Sequence, residues 1–213
     1  MARAILVMGE SGSGKTTSLR NLPPEETYFI DADKKHMAWK GFRKQYNEQN
    51  RNYIATDEPV KVYALLKNIS DKAANIKYIV IDTLNGIMVG EEMRQVKTKG
   101  YDKWADLASY IYNILDVIGD LRDDLIVILT AHSETDRDEN GYNFTRMKTS
   151  GRKLNKIVPE SKLNVVLLAK RKDGKHIFET KANNSTAKTP LGMFEVDEIE
   201  NDIMLVINEM NEY

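Results

Sequence analysis

Cysteine is absent from the 213 residues, which removes disulfides, thiolate nucleophiles and thiolate metal ligands together and fits a reducing compartment. Histidine is almost as scarce: three copies stand in unlike local contexts, so a histidine-based metal centre has little to draw on. Apolar runs are short. The N-terminal one breaks after Met8, no stretch reaches the roughly eighteen residues of a membrane span, and no signal peptide is visible. An excess of one charge is lacking too. Lys and Arg number 31 against 32 Asp and Glu, a formal net charge of -1, so whole-chain charge points to neither nucleic acid nor membrane. A soluble protein of the cytoplasm is the expectation, with one domain and one sizeable core.

Charge is uneven locally. Between Arg146 and Lys188 twelve basic residues stand against three acidic ones, whereas Met193 to Tyr213 holds seven acidic residues and no basic one. Solvated faces alone would account for such runs.

The most informative stretch is the first seventeen residues. Ala4 to Met8 is apolar, and Gly9-Glu10-Ser11-Gly12-Ser13-Gly14-Lys15-Thr16-Thr17 follows without a spacer, a complete GxxxxGK[ST] phosphate loop. Glycines let the backbone turn tightly beside phosphate, and loop amides together with a following helix N-terminus are expected to face the anion. Lys15 would reach the β- and γ-phosphates of ATP, and Thr16 would offer its hydroxyl to Mg²⁺. That helix should run from about Gly14 to just before Pro23-Pro24.

The rest alternates strand and helix. Thr27–Ile30 predicts a strand ending at Asp31-Ala32-Asp33, Tyr53–Ala55 a short one, and Asp57 an N-cap for a helix with a Val62, Leu65, Leu66, Ile69 stripe. Periodicity leaves 34–52 and 86–100 undecided. Ile76–Thr83 suits a central parallel strand, placing Asp82 at its C-terminal end for the Mg²⁺ shell. An amphipathic helix follows (Trp104, Leu107, Ala108, Ile111, Ile114, Leu115, Ile118), then a strand from Leu125 to Leu129 that delivers Thr130 and His132 to the phosphate-loop edge. Residues 133–150 predict a flexible polar segment with a turn at Asp138 to Gly141. A short helix through Leu154 and Ile157, a hairpin of Val165–Ala169 with His176–Thr180 about Lys172 to Lys175, and a closing helix (Ile199, Ile203, Val206, Ile207, Met210) complete the chain. The fold class expected is α/β, a three-layer P-loop NTPase with a mostly parallel sheet over residues 1–213.

With these motifs in order, the sequence resembles the RecA-like ATPase core, and within it the small phage ATPases of the Sak4 single-strand annealing group. The resemblance implies that Asp33, the last acid of Asp31-Ala32-Asp33, activates the attacking water where bacterial recombinases use Glu. It implies Asp82 as the metal-side acid and His132 as a polar sensor between nucleotide and a DNA-binding loop. Lys181 would be offered to a neighbouring subunit's nucleotide in a homo-oligomer. A single-strand-binding protein is a further expected partner, and the cytoplasm would be the host's if the chain is phage-encoded. Because the chain begins at the first core strand, the filament-building segment of full-length recombinases is expected to be missing.

Arg137, Arg146, Lys148, Arg152 and Lys153, interleaved with Tyr142 and Phe144, could neutralise DNA phosphates and stack on unpaired bases, so single-stranded DNA is the expected partner. A nucleotide or small-molecule kinase would use the same phosphate loop, with Arg137, Arg146 and Arg152 on its lid. A module holding ATP for assembly, with negligible turnover, stays open as well. A GTPase is disfavoured, since no Asn-Lys-x-Asp motif is visible.

Overall fold

In the computed structural model, which describes residues 2–97, 102–137, 141–150 and 158–213, nine strands form the sheet system. They are β1 (Arg3–Gly9), β2 (Thr27–Asp31), β3 (Tyr53–Ala55), β4 (Tyr78–Asp82), β5 (Ile126–Arg137), β6 (Asn143–Met147), β7 (Val165–Lys172), β8 (Lys175–Glu179) and β9 (Glu198–Glu200). The order across the sheet is β3-β2-β4-β5-β1-β7-β8-β9, with β6 attached to β5 alone. From β3 through β7 every pair is parallel, and β8 and β9 add an antiparallel edge. The expected mostly parallel α/β architecture is what forms.

Helices α1 (Phe42–Gln45), α2 (Pro59–Lys72), α3 (Leu84–Arg94), α4 (Asp102–Val117) and α5 (Ile203–Glu212) cover the two faces. The central strands are apolar almost throughout because both faces are covered. Leu6 and Met8 of β1 join the side made by α2, α3 and α4. Ile5 and Val7 join the other, with Phe42, Tyr46 and Tyr53 and with Ile203, Val206 and Ile207 of α5. The undecided 34–52 stretch is thus largely an aromatic plug: Phe29 meets Phe42 edge-on at 5.0 Å and Tyr46 at 5.3 Å.

Several expectations need correction. The helix after the phosphate loop is only a 3₁₀ turn, Thr17–Asn21. Ser18 puts its hydroxyl on the Lys15 carbonyl at 2.6 Å, and Leu19 N–H bonds back only three residues to Thr16 at 3.1 Å. These bonds tighten the turn before Pro23-Pro24 ends it. An extended helix dipole is therefore absent directly after the loop. Asp57 does not cap α2; Glu58 holds that position without a side-chain bond, because Asp57 is ion-paired to Lys34 at 2.9 Å and Arg94 at 3.0 Å. Thr83 caps α3 by accepting Gly86 N–H at 3.1 Å, and α3 makes regular helix of part of the stretch that periodicity leaves undecided.

The segment expected to be a flexible loop is a two-stranded ribbon through its described residues. β5 continues past the sheet, and Ser133 to Arg137 pair antiparallel with Met147 to Asn143. β6 is also tied down: Thr145 N–H donates to Asn184 O at 2.7 Å, and Met147 N–H to the buried Glu160 at 2.7 Å. The turn at Asp138 to Asn140, the helix through Leu154 and Ile157, and Arg152 and Lys153 lie outside the described residues, as does the Trp104 side chain. The β7–β8 turn forms as expected, with Asp173 and Gly174 at φ 50° and 78°.

Candidate active site

β1, β5 and β4 lie side by side, and their C-terminal ends set the chemistry. Gly9 is in register with His132, so the start of the phosphate loop and the expected sensor sit on neighbouring strands. Asp31 is in register with Asp82 one strand further on. Four sequence motifs thus meet at one sheet edge through parallel pairing.

Lys15 is buried, and its ammonium donates to the carbonyls of Gly9 at 2.9 Å and Glu10 at 2.8 Å. Burial lowers its pKa, and the Asp82 carboxylate opposes that shift. Thr16 Oγ1 lies 3.0 and 3.2 Å from the two Asp82 oxygens. Thr130, fully buried on β5, donates its hydroxyl to the same carboxylate. Burial raises the Asp82 pKa, while the bonds from Thr130 and Thr16 work the other way. The peptide between Asp82 and Thr83 is cis.

Thr16 and Asp82 present hard oxygens side by side, the donor type Mg²⁺ takes alongside phosphate oxygens and water. No group of three His, Asp or Glu among the described residues is placed to hold an ion. An ion here would depend on Thr16, Asp82 and the nucleotide itself, a set that fits Mg²⁺. Ser13 Oγ is buried without a partner among the described residues, a further polar group of this loop with capacity to spare.

The two acids of Asp31-Ala32-Asp33 differ in employment. Asp31 is 4% exposed and its Oδ2 accepts from Tyr53 Oη at 2.8 Å and from His36 N–H at 2.9 Å. It is a buried strut. Asp33 faces the cleft, with Oδ1 accepting from Thr83 Oγ1 at 3.0 Å and Oδ2 paired with Lys35 at 2.6 Å. Gly86 makes this approach possible, since a Cβ there would come within 2.6 Å of Asp33 Oδ1 and 2.7 Å of the Ala32 carbonyl.

Asn85, buried at the start of α3, accepts the backbone N–H of His132 at 2.7 Å and donates to the Lys148 carbonyl at 2.9 Å. His132 is half-buried; burial and then the nearby Lys15 charge lower its pKa. Asp33, Asn85 and His132 line one side cavity of about 720 Å³, together with Lys34, Lys35 and Arg94.

Sequence reasoning missed Lys35 and Asn85, and it missed His176, whose Nδ1 donates to the Ser13 carbonyl at 3.0 Å from the start of β8. His176 and Asn201 close against Gly14, where a Cβ would come within 3.0 Å of each and where φ is 100°. Only the hairpin pairing of β8 brings His176 there, so no local signal marked it.

The described candidate DNA-contacting residues do not form one patch. Glu134, Asp136, Phe144 and Arg146 share one ribbon face, while Ser133, Thr135, Arg137, Asn143 and Thr145 share the other. Arg146 is engaged by Glu134 at 3.2 Å and Asp136 at 2.8 Å, and its guanidinium lies 5.6 Å from the Phe144 ring centre. Arg137 donates to Asn143 at 3.1 Å, and the Lys148 and Tyr142 side chains are exposed. Lys181 stays away from its own chain's loop, because antiparallel β8 carries the chain back from that edge. Its ammonium meets Asp197 at 3.0 Å and the Glu195 carbonyl at 3.1 Å.

A glycine-rich loop after β1, with a buried lysine and with a threonine facing an acid at the end of a parallel strand, defines a P-loop nucleotide-binding protein. A family model described as an AAA domain (AAA_24) matches residues 1–191, so the chain belongs to that family of P-loop ATPases. The matched span takes in the phosphate loop, Asp33, Asp82, His132, the ribbon and Lys181. No curated protein matches the chain. Among the described residues no helix is long and apolar enough to cross a membrane.

Proposed function

We propose that this chain is a Mg²⁺-dependent ATPase that binds single-stranded DNA and acts in DNA recombination or strand annealing, in the manner of the Sak4-type phage ATPases it resembles. The observation that carries the ATPase reading is the Thr16–Asp82 pair beside buried Lys15, with the more exposed acid, Asp33, at the same edge. In the reaction a water oxygen attacks the γ-phosphorus while the bond to the β–γ bridging oxygen breaks, and ADP leaves with that electron pair. Asp33 takes the proton that the water gives up. Bound Mg²⁺ supplies neutralisation of charge on the phosphate oxygens. Lys15 binds phosphate, and His132 registers it.

Support for DNA comes from the ribbon. It leaves the sheet directly after His132, carries exposed Tyr142 and Lys148, and is bound at its root to the helix that follows Asp82. Aromatic faces and cations suit unpaired bases and their backbone. The acids Glu134 and Asp136 on the same ribbon oppose phosphate, so binding should be modest and sensitive to salt. Oligomerisation would let Lys181, released from an exposed pair with Asp197, serve a neighbouring chain's nucleotide. Mixing Lys181→Ala with Lys15→Ala chains should then restore some turnover, and a monomer in every nucleotide state would end that part.

The decisive experiment measures Mg²⁺-dependent ATP turnover with and without an unpaired oligonucleotide, alongside fluorescence anisotropy of that oligonucleotide. Turnover lost in Lys15→Ala and DNA binding that weakens as salt rises are the results expected. A folded chain that hydrolyses ATP but binds no oligonucleotide at low salt overturns the DNA role. The cavity of about 720 Å³ beside Asp33 then favours a second reading, phosphoryl transfer to a small acceptor, which a screen of phosphate acceptors would detect.

A further inference from the structure

Lys35 is a second lysine in the cleft. Its Nζ lies 2.6 Å from Asp33 Oδ2, while Thr83 holds the other oxygen of the same carboxylate at 3.0 Å. Both oxygens of Asp33 thus already have a partner. The Lys35 side chain is 66% exposed, so it is free to swing, whereas Asp33 is 12% exposed and fixed. Lys35 also lines two cavities. One, of about 180 Å³, is shared with Thr16, Asp31, His36 and Asp82; the other is the larger space it shares with Asp33, Asn85 and His132. The charges of Lys15 and Lys35 are close enough to oppose each other, as two ammonium groups facing one cleft do.

We propose that Lys35 is a second phosphate-reading lysine: it leaves Asp33 for the γ-phosphate of ATP, which distinguishes ATP from ADP and frees Asp33 to act on water. The inference rests on nucleotide binding at the phosphate loop. An exposed ion pair adds little to stability, so the lysine gives up little by leaving it. A terminal phosphate carries more negative charge than a carboxylate, and it would meet Lys35 inside the cleft, where water screens less. ADP brings no such charge, so with ADP bound Lys35 stays on Asp33 and the base stays neutralised. A lysine that merely steadies residues 32–36 would instead contribute equally with either nucleotide.

Calorimetric titration of the full chain with Mg²⁺ and either ADP or a non-hydrolysable ATP analogue separates the two roles. Lys35→Gln should lower the affinity ratio of analogue to ADP about tenfold, the effect of losing one charge-assisted hydrogen bond, with ADP affinity unchanged. Lys35→Arg should keep most of the ratio. Asp33→Asn, which releases Lys35, should tighten analogue binding when Lys35 is present and not in the Lys35→Gln background. A Lys35→Gln ratio equal to wild type, or an Asp33→Asn gain that persists without Lys35, overturns the proposal while leaving ATP binding intact. Wild-type chain that binds neither nucleotide would overturn the ATPase reading as well.

Discussion

Asn85 accepts the backbone N–H of His132 at 2.7 Å while its amide donates to the Lys148 carbonyl at 2.9 Å, and Lys148 N–H returns to the His132 carbonyl at 2.7 Å. One buried side chain thus joins the helix after Asp82 to both strands at the root of the ribbon. Asn85→Ala leaves the half-buried His132 N–H and the Lys148 carbonyl without this partner, which should cost about 1 kcal/mol of stability. Hydrogen exchange should quicken at residues 133–137 and 143–147 while nucleotide affinity holds. Unchanged exchange in the ribbon would show that other contacts set its position.

Asp33 and Asp31 should separate by experiment as they do by geometry. Asp33→Asn should lower ATP turnover about a hundredfold or more without weakening nucleotide binding, the size and pattern expected for loss of a proton acceptor. Asp31→Ala should act on stability, by about 1–3 kcal/mol, because it strips partners from the Tyr53 hydroxyl and His36 N–H. Phosphate-release kinetics and urea unfolding on both variants check this. Turnover lost only in the Asp31 variant would reassign the base.

The His132 pKa is lowered from its ordinary 6.5, by burial first and by Lys15 second. Between the lowered folded value and 6.5 the unfolded chain binds the proton more readily, so stability rises with pH across that window. The contribution is fully present above 6.5 and is lost as pH falls through the folded value. Unfolding midpoints of wild type and His132→Gln, compared from about pH 8 down to about pH 5, should show wild type losing ground to the variant on acidification. Parallel curves would contradict the assignment.

On the ribbon, Arg146 and Lys148 should behave differently despite equal charge. Arg146 is held by Glu134 and Asp136, so Arg146→Ala should change oligonucleotide affinity little and loosen the ribbon. Lys148 is exposed, and Lys148→Ala should reduce the salt dependence of binding by about one counterion. Anisotropy titrations over a salt series measure both, and an Arg146→Ala slope falling as far as that of Lys148→Ala would refute the distinction.

Local signals determined the parts of this protein whose physics is local. The phosphate loop needs its glycines, lysine and threonine within nine residues, and doubly covered strands must be apolar throughout, so β1, β4, β5 and β7 were legible, as was the Asp173-Gly174 turn. Parallel alternation then predicted that Asp82 and His132 share an edge with Lys15. Tertiary structure alone decided what depends on partners distant in sequence. Thr83 occupies Asp33, Tyr53 claims Asp31, Arg94 diverts Asp57 from its cap, and Asn85 reaches the ribbon from three residues past Asp82. The ribbon shows the difference most plainly. Its residues are polar and, read along the chain, look like loop, because its pairing is satisfied across the β5–β6 ladder and by Asn184 and Glu160 rather than by any apolar pattern of its own.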